Sequence, residues 1–165
     1  MNKENAKLFF EEYRGEKSTD FYVLAQSGSA RQNFVGTTST GKFIITYNEN
    51  LAENESFYYF SKIFSALKLN SPQIFKISED RKLYVQEFLG ENTLSEIIEK
   101  EGLSDRVKSL VKQTLTKLFE LQTKTENQID YSKTFEYENY DNLPITNDLF
   151  YFKSFIADVL EIPYH

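Results

Sequence analysis

The sequence predicts an α+β fold, in which a five-stranded antiparallel sheet with a packed helix is followed only by helices. Two turns of small residues separate three short β-prone segments near the N-terminus, which is typical of an antiparallel meander. A helical segment and two further β-prone segments come next. Beyond Gly90 the apolar period lengthens from two residues to about 3.6, so we expect only helices from there onward.

The elements before Gly90 follow from local signals. A first helix is expected over residues 3–14, because Gly15 is well placed to end it. Short apolar runs bounded by turn residues predict five strands, at 21–24, 32–37, 42–47, 73–77 and 83–88.

The helix between the third and fourth strands is predicted from apolar residues at helical spacing, namely Phe57, Phe60, Phe64 and Leu67. We expect this side of the helix to be buried. Pro72 disfavours a helical residue before it, so the helix is expected to stop near Asn70.

Three helices are expected after Gly90. Thr93 and Glu96 form a capping-box pair at the start of the first, and Ser104 caps the second. The second helix carries an apolar stripe made of Val107, Leu110, Val111, Thr114, Leu115, Leu118 and Leu121. Residues 124–145 show no period and predict an irregular connection to a last helix over about 146–160.

Composition excludes several classes of protein. The net charge of −6 and the lack of a basic run argue against a nucleic-acid partner. Without cysteine the chain has no disulfides or thiolate metal sites, and its one histidine is the last residue, His165. No apolar run reaches the roughly 18–20 residues of a membrane span, and the N-terminus is too polar for a signal peptide. We therefore expect a cytoplasmic protein with no membrane partner.

Three segments together resemble one protein family. Residues 27–35 place a Gly-Ser turn before an arginine and an aromatic strand, residues 83–90 end a strand with a carboxylate, an apolar pair and a glycine, and residues 54–57 start a helix leading to Pro72. In this order they resemble the N-terminal lobe of the aminoglycoside phosphotransferase and choline kinase-like family. The resemblance is nearest to its branch of sugar kinases acting on N-acetylmuramate or N-acetylglucosamine.

The resemblance implies a protein-kinase-like nucleotide-binding lobe with its hinge over residues 1–90, and the helical start of a second lobe over 91–165. It implies ATP as the phosphoryl donor, magnesium in the full-length family but not on this chain alone, and a small hydroxylated acceptor, in that branch a sugar. The catalytic loop of the family has no counterpart in this sequence, so we expect this chain alone to be inactive. The polypeptide is then either a fragment or the product of a gene that encodes only this lobe.

The turn after the first strand suits a phosphate chain. Phosphate oxygens need backbone N–H donors that can approach closely, so small residues are required there. The turn supplies Ser27, Gly28, Ser29 and Ala30, and Arg31 adds a positive charge directly after it. An ordinary hairpin turn explains the same residues, because one glycine is much less than a full glycine-rich motif.

The end of the fifth strand suits adenine. The carbonyl of Glu87 and the N–H of Leu89 are two residues apart, so both point to the same side of an extended strand. The other candidate contacts to the base are Gln86 as gatekeeper and Ile44 as the apolar wall, with Phe88 or Leu94 nearby. A plain core strand explains the segment equally well.

One expected residue is missing. Related kinases end the third strand with a lysine that pairs with a helix glutamate, and Thr46 stands in that place here. Lys42 shares its face of the strand but lies about 13 Å back. Arg31 is the candidate replacement, and without that lysine we expect Glu53 and Glu55 to be surface residues.

Two alternatives stay open. The missing lysine and catalytic loop fit a non-catalytic binding or interaction module, and the remaining alternative is an α+β domain of unrelated fold. If the apolar stripes over 107–121 and 149–160 lie exposed, we expect the chain to self-associate, for example as a homodimer.

Overall fold

The computed structural model of the chain describes residues 2–25 and 30–163, and it confirms the α+β class with a five-stranded, open antiparallel sheet. The chain forms two compact units, Met1–Ile129 and Asp130–His165. Within the described residues, the first unit contains the sheet and four α-helices, and the second unit is helical.

The strands lie within one residue of their predicted bounds. Strands β1 to β5 are Asp20–Val23, Gln32–Thr38, Gly41–Tyr47, Ile74–Ile77 and Leu83–Glu87. Neighbouring strands are antiparallel, in the spatial order β1-β2-β3-β5-β4. β3 and β4 therefore run parallel on either side of β5, and the segment between them must cross over the sheet.

Helix α1 (Lys3–Arg14) packs on one face of β1, β2 and β3. It ends where predicted, because Gly15 adopts the left-handed φ of 66° that glycine tolerates best. Phe10 is fully buried, and its ring lies directly over Gly36 of β2. The core around it is formed by Ala6, Phe21, Phe34, Ile45, Leu83 and Val85.

Helix α2 (Leu51–Ala66) lies on the opposite face of the sheet. There the ring of Phe57 packs on Tyr84 of β5 at a centroid distance of 5.4 Å, and Tyr84 alternates with the residues that face α1. The strand residues that share this face with Tyr84 are Asn33, Val35, Ile44, Thr46 and Gln86. We call this surface the α2-side face.

The buried side of α2 differs from the predicted one. Phe57, Phe60 and Phe64 are only half buried, whereas the buried residues are Asn54, Tyr58 and Ser61. Backbone carbonyls decide the orientation. The Asn54 amide donates to the carbonyls of Asn48 and Arg81 at 3.0 Å each, and the Tyr58 hydroxyl also donates to Arg81 at 3.0 Å. Because shielded carbonyls need donors, the polar residues of the helix turn inward.

The helices after the sheet begin at the predicted caps. Thr93 and Glu96 form the capping box of α3 (Leu94–Glu101), and Ser104 caps α4 (Asp105–Thr125). The apolar stripe of α4 is only partly covered, since Val107 is buried but other members are exposed, namely Val111, Leu115 and Leu118. None of the helices in the described residues is both long enough and apolar enough to cross a membrane.

The last helix begins earlier than predicted. In the second unit, α5 (Asn142–Phe152) follows a 3₁₀ turn at Tyr131–Lys133 and continues into a π-helical turn at Lys153–Ala157. The expected irregular connection up to residue 145 was wrong at its end, because Pro144 lies in the first turn of α5. Proline is tolerated there, since the first N–H groups of a helix have no partner within the helix.

A buried carboxylate ties α1 to the segment that follows it. Glu11 accepts hydrogen bonds from the Lys17 ammonium at 2.8 Å, the Ser18 N–H at 2.9 Å and the Ser18 hydroxyl at 2.8 Å. These donors, with the Lys17 ammonium first, lower the pKa of Glu11 from 4.5 to about 2.

Acid should therefore weaken the fold through Glu11. Its folded pKa of about 2 lies below the ordinary 4.5, so its stabilising effect is complete above pH 4.5 and is lost as the pH falls towards 2. Denaturant unfolding between pH 6 and pH 2.5 should show a smaller pH dependence in Glu11→Gln than in the wild-type chain. The exposed neighbour Glu12 gives the control, and Glu12→Gln should retain the wild-type slope. Equal slopes in all three proteins would contradict this assignment.

Candidate functional site

The predicted phosphate turn lies mostly outside the described residues. Ser27, Gly28 and Ser29 cannot be placed, so the prediction for them stays a prediction. Ala30 is exposed, and Arg31 is half buried directly before β2. Of the five residues predicted at this turn, Arg31 is the one with an extensive described environment.

Arg31 is held against α2. Its Nη2 lies 2.7 Å from Oε1 of Glu53, and its guanidinium carbon lies 5.4 Å from the centroid of the Phe57 ring. Glu53 is also held from the other side, because Asn48 donates to its Oε2 at 2.8 Å. Both members of the ion pair have 26% exposed side chains, so a ligand in solvent can reach them.

Glu53 was expected to be a surface residue, but it is half buried and paired with Arg31. Glu53 lies in the first turn of α2 and pairs with the arginine that precedes β2, a contact between residues 22 positions apart. Glu55 does lie at the surface, with 50% of its side chain exposed, and it pairs with Arg81. The difference arises because residues two apart on a helix point in different directions.

Ile44 and Gln86 face each other on the α2-side face. They are directly paired across β3 and β5, and Ile44 is half buried. Gln86 Nε2 donates to Thr46 Oγ1 at 3.0 Å, and that hydroxyl donates to Asn33 Oδ1 at 2.7 Å. A chain of side-chain hydrogen bonds thus crosses three strands.

The predicted hinge leaves the sheet at the end of β5. The N–H of Glu87, the last residue of β5, donates to the carbonyl of Gln73 at 2.9 Å. Phe88 is half buried, and Leu89 has 65% of its surface exposed. The Lys42 ammonium lies 5.6 Å from the centroid of the Phe88 ring and pairs with Glu91. Lys42 is therefore engaged near the hinge and does not replace the missing lysine.

These groups occupy two separate positions along the sheet. Asn48, which contacts Glu53, follows the end of β3, and Ile44 lies four residues back, about 13 Å at the usual rise. A cation thus lies near one end of the α2-side face, and an apolar residue with a polar gatekeeper lies nearer the hinge. This arrangement would match an elongated ligand that has an anionic group at one end and, at the other end, a flat apolar ring with polar groups on its edge.

Two polar groups on or beside the α2-side face are placed to contact a ligand. Gln86 Oε1 is buried and has no hydrogen-bond partner among the described residues, which leaves an acceptor for a ligand donor. Arg31 offers a cation for phosphate. In the described part of the chain no group of three histidine, aspartate or glutamate side chains could hold a metal ion.

Two clefts in the first unit lie away from these residues. One, of about 560 Å³, separates α2 from the edge strand β4, and the other, of about 630 Å³, lies between α1 and the β4–β5 turn. Neither cleft is lined by any of the buried side-chain atoms that lack a partner among the described residues. The α2-side face has two such atoms, Tyr84 Oη and Gln86 Oε1, so we prefer it as the functional site.

Sequence reasoning missed the residues that support this site. Asn48 and Glu53, which hold Arg31, and Asn33 and Thr46, which orient Gln86, were not predicted to contribute. A weak signal was present for the second pair, because Asn33 and Thr46 are polar residues beside the apolar runs of β2 and β3, and the two are directly paired in the sheet.

Comparison with known proteins leaves the family open. The chain matches no protein-family model, and a search of curated proteins returns no significant relative.

Proposed function

We propose that this chain is the nucleotide-binding part of an ATP-dependent phosphotransferase that acts on a hydroxyl of a small molecule, as in the sugar kinases it resembles. In this proposal the sheet with α1 and α2 is a protein-kinase-like lobe. The phosphates lie near Arg31, and the adenine lies between Ile44 and the hinge at Glu87–Leu89. The acceptor and the catalytic residues would belong to the rest of such an enzyme.

The ion pair between Arg31 and Glu53 carries the proposal. Kinases place a strand lysine against a helix glutamate, and the cation of that pair contacts the phosphates. Here an arginine from the start of β2 reaches the glutamate of the crossover helix α2, on the α2-side face. In this proposal Arg31, the residue directly before β2, supplies the positive charge that is absent at Thr46.

Each residue has a physical role in binding. A guanidinium pairs well with phosphate oxygens because its planar N–H groups match their geometry. The half-buried Ile44 offers an apolar surface to the base. The hinge would add backbone hydrogen bonds worth only about 0.5–1.5 kcal/mol each, so weak, submillimolar to millimolar binding is expected. These roles are binding and orientation, which supply much of the catalysis in phosphoryl transfer.

Backbone amide NMR tests where a nucleotide binds. Titration with millimolar ATP should shift the amides of Arg31, Ile44 and Leu89 most, and should leave the α1 residue Phe10 unchanged. Inorganic triphosphate provides the control, because it should shift Arg31 without shifting Leu89. Absence of shifts at 10 mM ATP, or shifts confined to α1, would overturn the proposed site.

An interaction module is the second candidate, and exposed apolar side chains favour it. On α4, Leu115 and Phe119 have 61% and 66% of their surface exposed. In the second unit, the large exposed residues include Leu149, Phe150, Tyr151 and Phe155. Surfaces of this kind mark contacts with other proteins or with a second copy of the chain. The same ATP titration separates the two candidates, since this one predicts no ATP-induced shifts.

A further inference from the structure

A hydrogen-bond chain on the α2-side face holds the side-chain amide of Gln86 in one orientation. Thr46 is buried, with 1% of its surface exposed, and its hydroxyl has a single proton. That proton goes to Asn33 Oδ1 at 2.7 Å, so the Thr46 oxygen is left to accept the Gln86 Nε2 donor at 3.0 Å. The nitrogen of the Gln86 amide therefore points towards Thr46, and its oxygen points away.

The oxygen of the Gln86 amide lacks a donor among the described residues. This atom, Gln86 Oε1, is buried. Buried polar atoms are almost always paired in folded proteins, and exceptions tend to have a functional reason. The residue directly across the strand pair is Ile44, which has no polar side-chain atom to offer. A ligand donor is therefore the natural partner of this oxygen.

We propose that Gln86 selects a purine with an amino group at position 6 over one with a carbonyl there, an inference that rests on the proposed nucleotide site. Adenine presents a 6-amino donor, which can pair with the Gln86 oxygen. Guanine presents a 6-carbonyl, which would set one acceptor against another. Thr46 acts as a positioning residue, since its hydroxyl keeps the amide from turning over.

Calorimetric titration of the 165-residue chain with ATP, GTP and inosine triphosphate tests the proposal. Inosine triphosphate is the sharpest comparison, because its base differs from adenine chiefly in the 6-carbonyl and the neighbouring ring proton. The wild-type chain should bind ATP about tenfold more tightly than either 6-carbonyl nucleotide.

Two variants test whether the preference for ATP comes from the oriented Gln86 acceptor or only from the volume of its side chain. Gln86→Met keeps the volume but removes the acceptor, so the ATP preference should fall by about threefold or more, and the hinge hydrogen bonds account for any preference that remains. Thr46→Val retains Gln86 but releases its orientation, and the preference should fall as well. Gln73→Met, at an exposed glutamine outside the α2-side face, should keep the wild-type preference. Melting temperatures should confirm that each variant is folded, and Thr46→Val supplies the test if Gln86→Met does not fold.

The results of these titrations distinguish an error in the role of Gln86 from an error in the nucleotide site itself. If the wild-type chain binds all three nucleotides equally, or if both variants keep its preference, the role of Gln86 is wrong while the nucleotide site stands. If none of the three nucleotides binds at 10 mM, the proposed nucleotide site is wrong, and the selectivity falls with it.

Discussion

Replacing Gly36 by alanine should destabilise the protein strongly, because a methyl group has no room there. A Cβ on Gly36 would lie 2.7 Å from Cδ1 and 2.9 Å from Cζ of Phe10, and closer still to Cε1. Phe10 is fully buried between α1 and the sheet, so its ring cannot swing into solvent. Overpacking of this kind typically destabilises by about 1–3 kcal/mol, and a contact this close belongs at the upper end. Urea unfolding measures the loss.

A double variant identifies the cause. In a Phe10→Leu background the smaller side chain leaves space for the methyl group, so Gly36→Ala should be less destabilising there than in the wild-type chain. Gly15→Ala is the comparison variant, since no atom lies within 4 Å of its Cβ position and only its left-handed φ of 66° is unfavourable, by about 1 kcal/mol. If Gly36→Ala is no more destabilising than Gly15→Ala, the packing of α1 is wrong.

Local patterns were enough to predict the sheet and most helix ends. Short apolar runs predict β2 and β3, and the two-residue turn at Ser39 and Thr40 leaves them little freedom of register. The caps at Thr93 and Ser104 are satisfied by neighbours within three residues, so they are visible in the sequence itself. Hydrogen bonds between residues so close in sequence can be predicted without knowing the tertiary fold.

The orientation of α2 could not be predicted in the same way. Its aromatic residues suggested one buried side, but Asn54 and Tyr58 are drawn inward by the Arg81 carbonyl, which is more than twenty residues away. Side-chain donors on a helix and carbonyls in a distant turn share no local pattern. The aromatic residues of α2 therefore predicted the wrong buried side. The need of the Arg81 carbonyl for hydrogen-bond donors becomes apparent only when both segments are in their folded positions.

The candidate site could be predicted only in part, because some of its contacts also depend on the tertiary fold. Ile44 and Gln86 were each predicted as a contact of the base, and the structure pairs them directly across β3 and β5. The partner of Arg31 could not be predicted, since the contact with Glu53 depends on how α2 lies across the sheet. The hydrogen bonds that orient Gln86 likewise require the register of three strands at once.

Removing Arg31 should have the largest effect on ligand binding. Its guanidinium, held by Glu53 and Phe57, is the proposed phosphate contact, and a charge-assisted hydrogen bond contributes about 1.5–3 kcal/mol. Arg31→Ala should therefore weaken ATP binding by about tenfold or more. Arg31→Lys should lose less, because the charge remains but the planar donor arrangement does not.

Arg81→Ala is the matched control for this change. Arg81 is also paired with a glutamate of α2, Glu55, and its guanidinium carbon lies 5.1 Å from the centroid of the Tyr58 ring. It has the same chemistry as Arg31 but belongs to the β4–β5 turn, away from the proposed phosphates. Its loss should leave ATP affinity within about twofold of the wild-type value, because exposed ion pairs contribute little.

Calorimetric titration of the wild-type, Arg31→Ala and Arg81→Ala chains with ATP and with adenosine tests directly whether Arg31 binds the phosphates. We expect Arg31→Ala alone to lose ATP affinity, while all three proteins bind adenosine equally weakly. Two results would contradict a phosphate site at Arg31. One is equal ATP affinity of the Arg31→Ala and Arg81→Ala chains, and the other is a loss of adenosine affinity in Arg31→Ala as large as its loss of ATP affinity.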